Sequence, residues 1–325
     1  MRHRPRDLFI CCAIAIVLLT FAEGRAVRHA GREMPSGWER SLVLAVGSPA
    51  GWLTDQVPAL ANAANKLSEA FKSDDNLSSG GAGSFADRSQ PAAAGGVPPV
   101  TRDAFDPRSL GEQPAKRPLK TVLVTGDSMA QPLDAQLARD LAPKGIKVIR
   151  DAHIGTMISD TSIVDWGKLS ALQTKQDKPD AVVMFMGANE GFPMNVGGRE
   201  VKCCSADWAA EYAYRARRMM DTYRRAGAAR VYWLLLPAYR SAARNKIAHV
   251  VNAGLEAASG PYRAQVRLLD MGAIFTPGDK YRDAMPVDGR DQIVRQADGV
   301  HLNATGSRLA ADDVLAALRE DFTGP

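Results

Sequence analysis

The feature that most constrains the fold is a series of five short apolar segments in the C-terminal two thirds of this 325-residue chain. Each is rich in aliphatic and β-branched residues, and the stretches between them are long enough for helices. They lie near residues 121–125, 146–150, 180–186, 229–236 and 265–270. Strands that alternate with helices predict a five-stranded parallel sheet covered on both faces, which is a three-layer α/β/α sandwich.

Two of the helical stretches have clear local signals. Before the fourth strand, apolar side chains recur at helical spacing and predict one buried face, formed by Trp208, Tyr212, Ala216, Met219 and Tyr223. The arginines of the same stretch, among them Arg215 and Arg224, predict a solvated basic face. The last helix is predicted from about Ala304 to Asp321, with Asn303 as its N-cap.

Residues suited to acyl transfer stand beside these elements. Ser128 follows the first strand closely, and a serine hydroxyl needs a base to take its proton when it attacks. His301 is the candidate base, and Asp298, three residues earlier on a tight turn, can orient its imidazole. Gly, Asp and Ser are also common turn residues, so the motif at 126–128 has a simple structural alternative. The position at a strand end favours the catalytic interpretation, because open parallel sheets bind ligands at the carboxyl ends of their strands.

Acyl transfer also requires donors for the oxyanion. Asn189 follows the third predicted strand and can donate through its side-chain amide. Gly155 follows the second, and a glycine lets a substrate oxygen approach the main-chain amide closely. The main-chain amide of Ser128 is the third candidate donor.

In this order, Ser128, Gly155, Asn189 and His301 resemble the four signature blocks of the SGNH (GDSL-like) hydrolase superfamily. The resemblance covers roughly residues 118–323. It implies a flavodoxin-like topology, with Ser128 as nucleophile, His301 as base and Asp298 as the group that orients it. It also implies an oxyanion hole made by the Ser128 amide, Gly155 and Asn189.

The stretch 294–306 is similar to that of a bacterial, membrane-tethered, extracytoplasmic subgroup with no well-defined substrate. Two residues depart from the usual pattern. Met129 stands where Leu is usual, and Glu190 stands where many members have Asp. Both departures concern the shape of the pocket rather than the class of reaction.

Two further residues are candidates for substrate binding. His153 precedes Gly155 by two residues, and Arg295 precedes the Asp298 turn. Strand capping or core packing explains either of them as well. The other histidines do not cluster with cysteines, so we expect no metal site, and nothing in the sequence points to a cofactor.

The N-terminal third divides into three pieces. Arginines precede an apolar run at residues 8–22, which predicts a signal peptide or signal anchor within residues 1–24. We favour an uncleaved anchor, because Arg25 and Arg28 follow closely; cleavage after Ala22 remains open. Residues 25–71 predict a short amphipathic helical segment. The stretch 72–117, rich in Ser, Gly, Ala and Pro, predicts a flexible linker to a hydrolase domain at 118–325.

The positive flank before the apolar run predicts that the hydrolase domain lies outside the cytoplasmic membrane. With the resemblance, this implies a domain in the bacterial periplasm or cell envelope, anchored to the inner membrane by residues 8–22. Four cysteines are too few for a disulfide framework. The adjacent pair Cys203 and Cys204 is open to a disulfide, a link to another chain or a free-thiol role.

Three functions from different classes remain. The first is a serine esterase that removes an acyl group, acetyl first among them, from an envelope glycan or a small ester. The second is an O-acyltransferase that uses the same site on an envelope polysaccharide. The third is a non-catalytic envelope scaffold. The net charge of +5 suits anionic lipid or an acidic polymer, while the exported topology disfavours nucleic acid.

Overall fold

The computed structural model of this chain describes residues 83–86 and 115–325. The chain divides into two units, 1–78 and 79–325, and every described residue belongs to the second. The predicted anchor and the predicted helical segment at 25–71 lie outside the described residues, as does most of the predicted linker. Within the part that is described, no helix combines the length and apolar character needed to span a membrane.

The described residues form strands and α-helices, joined in places by short 3-10 turns. The strands are β1 (Arg117–Pro118), β2 (Thr121–Gly126), β3 (Lys147–Ala152), β4 (Ala181–Phe185), β5 (Met194–Val196), β6 (Arg199–Val201), β7 (Arg230–Leu235), β8 (Val266–Asp270), β9 (Ala284–Val287), β10 (Arg290–Ile293) and β11 (Phe322–Thr323). The helices are α1 (Ala130–Leu141), α2 (Trp166–Asp177), α3 (Ala206–Tyr223), α4 (Ala242–Ser259), α5 (Met271–Phe275) and α6 (Ala304–Asp321).

Five strands form one parallel sheet in the order β3-β2-β4-β7-β8. This is the flavodoxin-like order, so the predicted fold is confirmed. Helix α1 packs with α6, while α2 packs with α3 and α3 with α4. The central strand β4 is buried at every residue, as expected for a strand covered on both faces.

The end of β2 lies unusually close to its neighbour β4. A Cβ at Gly126 would be 2.1 Å from the carbonyl oxygen of Phe185, and Gly126 has φ +138°. Only glycine fits such a position without strain. The close approach brings the loop after β2 against the loop after β4, where Ser128 and Asn189 lie.

The local helix signals are mostly confirmed. Asn303 caps α6 by accepting a hydrogen bond from the amide of Gly306, and the predicted apolar face of α3 is fully buried. The prediction of a solvated basic face is wrong at Arg215 and Arg224, which are only 2% and 4% exposed. Arg215 pairs with Glu211 one turn earlier, and the pair makes burial of the charge tolerable.

The predicted linker is wrong at residues 83–86, which are docked against the hydrolase domain. Phe85 is 2% exposed and belongs to the hydrophobic core. Burial of such a side chain contributes about 1.5–3 kcal/mol. The domain also begins slightly before residue 118, since Arg117 in β1 pairs with Phe322 in β11.

The cysteine pair is resolved as a disulfide. Cys203 and Cys204 are bonded to each other in the loop before α3. A bond within the chain excludes the free-thiol alternative for this structure.

Candidate active site

Ser128 lies in the loop between β2 and α1, at the carboxyl edge of the sheet. The side chain of Asp127, which is fully buried, ties this loop to the next one. Its Oδ1 accepts from the amide of Met129 at 2.8 Å, and its Oδ2 accepts from the amides of Gly187 and Ala188 at 2.8 and 3.0 Å. The backbone around Ser128 is therefore fixed from both sides.

The three residues predicted to act together are in direct contact. The Ser128 hydroxyl lies 2.7 Å from Nε2 of His301. Nδ1 of His301 lies 2.5 Å from Oδ2 of Asp298. With Nδ1 protonated and donating to Asp298, the lone pair of Nε2 faces the serine proton, which is the arrangement a general base requires.

The turn that carries His301 is held by Asp298 itself. Oδ1 of Asp298 accepts from the amides of Val300 and His301 at 2.9 and 3.1 Å. Burial alone would raise the pKa of Asp298, but the hydrogen bonds from the His301 ring and from these two amides bring it below its ordinary value. Asp298 is therefore ionised at neutral pH, which is the state that stabilises an imidazolium.

The predicted oxyanion donors lie in the loops around this serine. Gly155 has φ +76°, a backbone conformation that glycine adopts without strain. Nδ2 of Asn189 donates to the carbonyl of Thr156 at 3.3 Å, so the second and third blocks are joined directly. No other described residue accepts a hydrogen bond from the amide of Ser128 or Gly155, which leaves both available to a substrate oxygen.

A second buried carboxyl stands next to Asn189. Glu190 accepts from the amides of Ile158 and Ser159 at 2.8 and 3.1 Å, and its side chain is buried. Burial raises the pKa of Glu190 to about 7, and burial likewise raises the pKa of Asp127 to about 6. In both cases hydrogen bonds from main-chain amides oppose the rise.

Of the two candidates for substrate binding, Arg295 is buried and His153 is partly exposed. The ring of His153 packs edge-on against Trp166, with centroids 5.7 Å apart, and its Nε2 lies 3.0 Å from Oδ1 of Asp151. This favours the packing alternative for His153. Arg295 is only 2% exposed, so its assignment to substrate binding is wrong.

Arg295 instead holds the turn that carries His301. Its guanidinium donates to the carbonyl of Val300 and to that of Ala238, both at 2.8 Å. These bonds join the turn before α6 to the loop after β7. The sequence gives little indication that Arg295 joins these two loops, because Ala238 lies far from it along the chain. In the described residues, no cluster of three or more His, Cys, Asp or Glu side chains has a metal-binding arrangement.

Comparisons with known proteins identify a matching family model. A family model described as "Protein of unknown function (DUF459)" matches residues 121–317, a range that includes all four blocks. No curated protein matches the chain.

The chain also matches solved structures, three of which are the following. Est24, a carbohydrate acetylesterase from Sinorhizobium meliloti, is 15% identical, with a TM-score of 0.41, over 61% of this chain and 99% of its own. The aryl esterase of M. smegmatis is 14% identical, with a TM-score of 0.43, over 62% and 100%. A variant of Axe2, an acetyl xylan esterase from Geobacillus stearothermophilus, is 14% identical, with a TM-score of 0.43, over 64% and 98%.

Proposed function

The chain belongs to DUF459, an SGNH-hydrolase-like family of proteins of unknown function, and from this premise we propose that it is a serine esterase. The observation that carries the proposal is the unbroken series of contacts from the Ser128 hydroxyl through His301 to Asp298. A serine and a histidine in hydrogen-bond contact, with the histidine oriented by a third group, is the arrangement of an activated nucleophile.

The geometry supports an acyl-serine mechanism. Oγ of Ser128 attacks the carbonyl carbon of the ester while its proton passes to Nε2 of His301. The carbonyl oxygen takes up the electron pair as an oxyanion, and the positive charge on the imidazole is stabilised by Asp298. When the carbonyl re-forms, the bond to the alcohol breaks and the alcohol leaves with the proton from His301.

Deacylation repeats these steps with water. His301 takes a proton from the water as its oxygen attacks the acyl carbon, and it returns that proton to Oγ of Ser128 as the acid leaves. In both halves the oxyanion is held by the amides of Ser128 and Gly155 and by Nδ2 of Asn189. Donors of this kind are worth about 2.7–4 kcal/mol each when they are removed singly.

We further propose a location for the domain and a class of substrate. The arginines before the apolar run at residues 8–22 support a domain held outside the cytoplasmic membrane. We place its substrate among acylated envelope glycans and small esters, with acetyl as the first acyl group to test. Protease added to intact spheroplasts should digest the hydrolase domain, and protection of the domain would contradict the location.

The catalytic proposal is tested with the full-length chain, p-nitrophenyl acetate and a serine-directed fluorophosphonate. We expect hydrolysis and stoichiometric labelling at Ser128, and both should be lost in Ser128→Ala with the thermal transition nearly unchanged. Ser162→Ala is the matched control, because Ser162 is an exposed serine in the loop before α2.

Two outcomes would change the conclusion. Absence of both turnover and labelling in the folded wild-type chain would contradict a serine esterase. Labelling without turnover of esters would favour transfer of the acyl group to an acceptor other than water.

A further inference from the structure

Residues 83–86 lie against the start of α2, about eighty positions later in the chain, and a single carboxylate receives them. The hydroxyl of Ser84 donates to Oδ2 of Asp165 at 2.7 Å. The amide of Phe85 donates to Oδ1 at 3.0 Å, and the amide of Ala86 donates to Oδ2 at 3.2 Å. Most of these contacts come from main-chain amides, so Asp165 binds the backbone of the segment in a fixed register.

Asp165 is also the N-cap of α2. Its Oδ1 accepts from the amides of Gly167 and Lys168 at 3.0 and 3.4 Å. The same side chain therefore begins the helix and binds the segment. A carboxylate offers about four acceptor positions, and here they are shared between the two.

The side chain of Phe85 provides the apolar part of the contact. It is 2% exposed, and the guanidinium of Arg215 lies 5.5 Å from the centre of its ring. A cation at this distance from an aromatic face is attracted to it, most strongly where water is excluded. Arg215 is itself 2% exposed and is paired with Glu211.

A glycine in the first turn of α2 makes room for the segment. A Cβ at Gly167 would lie 1.9 Å from the carbonyl oxygen of Gly83 and 2.9 Å from Cδ1 of Phe85. Glycine is a poor helix former, so its place in the first turn is not explained by the helix. The docked segment does explain it.

The contact continues to the loop beside Gly155. The guanidinium of Arg215 donates to the carbonyl of Ile158 at 2.9 Å. The amide of Ile158 in turn donates to Glu190, the neighbour of Asn189. The loop 156–159 is thus held between Arg215 and Glu190, and Phe85 covers Arg215.

We propose that the groove formed by Asp165, Gly167 and Arg215 is a docking site for Gly83–Ala86 of the chain's own N-terminal part, and that the docked segment keeps the loop 156–159 in place. The linker predicted at 72–117 then contacts the hydrolase domain at two points, near residue 85 and near residue 117. The proposal does not depend on the esterase activity, and its test needs no substrate.

The test is hydrogen–deuterium exchange of the full-length chain. The amides of Phe85 and Ala86 should exchange at least about tenfold more slowly than expected for an unstructured peptide, because both are bonded to Asp165. Gly167→Ala should abolish this protection while the amides in the rest of α2 stay protected. Gly260→Ala is the matched control, since a Cβ there meets nothing within 4 Å.

A second variant keeps the test decisive if Gly167→Ala disturbs α2. Phe85→Ala should speed exchange in the loop 156–159 by at least about threefold, because Arg215 loses its cover. Phe85→Leu should restore most of the protection, since an apolar side chain again fills the space.

The proposal is overturned if the amides of residues 85 and 86 exchange as fast in the wild type as in Gly167→Ala. Unchanged exchange of the loop 156–159 in Phe85→Ala would overturn the part that concerns the loop. Protection that disappears on dilution would show that the segment comes from a second copy, which contradicts docking within one chain.

Discussion

Replacement of Glu190 by Gln should remove a large part of the pH dependence of stability. Glu190 lies buried between Asn189 and the loop 156–159, with Asp127 as the charged group that also acts on it. Burial raises its pKa to about 7, and the charge of Asp127 adds to the rise, while the amides of Ile158 and Ser159 oppose it. The folded protein therefore binds the proton of Glu190 more tightly than the unfolded chain does.

The direction and the size of the change in unfolding free energy with pH follow from this difference in proton binding. Below the ordinary pKa of 4.5, Glu190 is protonated in both states, and the stabilisation is fully present. As the pH rises through about 7, the folded state loses its proton, and the stabilisation is lost. A rise from 4.5 to about 7, at about 1.36 kcal/mol per pKa unit, corresponds to about 3 kcal/mol of unfolding free energy.

The assay is urea unfolding of the full-length chain at several pH values between 4 and 8.5. We expect the wild type to lose about 3 kcal/mol more than Glu190→Gln across this range. Asp127 titrates in the same direction but is present in both proteins, so most of its contribution cancels. Glu200→Gln is the matched control, because Glu200 is exposed on β6. Parallel curves for the wild type and Glu190→Gln would refute the reasoning.

Three other substitutions test the site. Asn189→Ala should lower kcat for p-nitrophenyl acetate by about a hundredfold or more with little change in KM; an unaltered rate would remove Asn189 from the oxyanion hole, and Asn195→Ala on β5 is the control. Asp298→Asn should lower kcat by about three to four orders of magnitude, because the imidazole loses the group that fixes its tautomer; a drop below tenfold would contradict that role. Arg295→Met should lower the unfolding free energy by about 2–3 kcal/mol, because two carbonyls lose a charged donor; an unchanged urea midpoint would show that they find other partners.

The sheet could be predicted because its signals are local. Each strand is a short apolar run, and each run was found within two residues of its observed bounds, as with β2 at Thr121–Gly126. The candidate site could be predicted for the same reason. Ser128 and Asn189 each follow a strand, so a parallel sheet brings them to one edge whatever the side chains elsewhere do.

Burial of charged side chains could not be predicted, because it depends on partners that are distant in the sequence. For Arg295 the sequence leaves substrate binding and core packing open, and only the contacts with Ala238 and Val300 decide between them. Arg215 resembles a surface arginine until Phe85 covers it. For the segment 83–86 the composition indicates a linker, and the single aromatic residue within it is the only signal against that interpretation.

The buried carboxyls next to the site join the three loops that carry the proposed oxyanion donors. Asp127 adjoins Ser128 in sequence and binds the amides of the loop that carries Asn189. Glu190 adjoins Asn189 and binds the amides of the loop that follows Gly155. Each carboxyl thus stands beside one proposed oxyanion donor and fixes the loop of another. Displacement of any one loop breaks hydrogen bonds to a carboxyl that is itself buried, and a buried group left without its partner costs free energy. We therefore expect the three proposed donors to keep or lose their positions together.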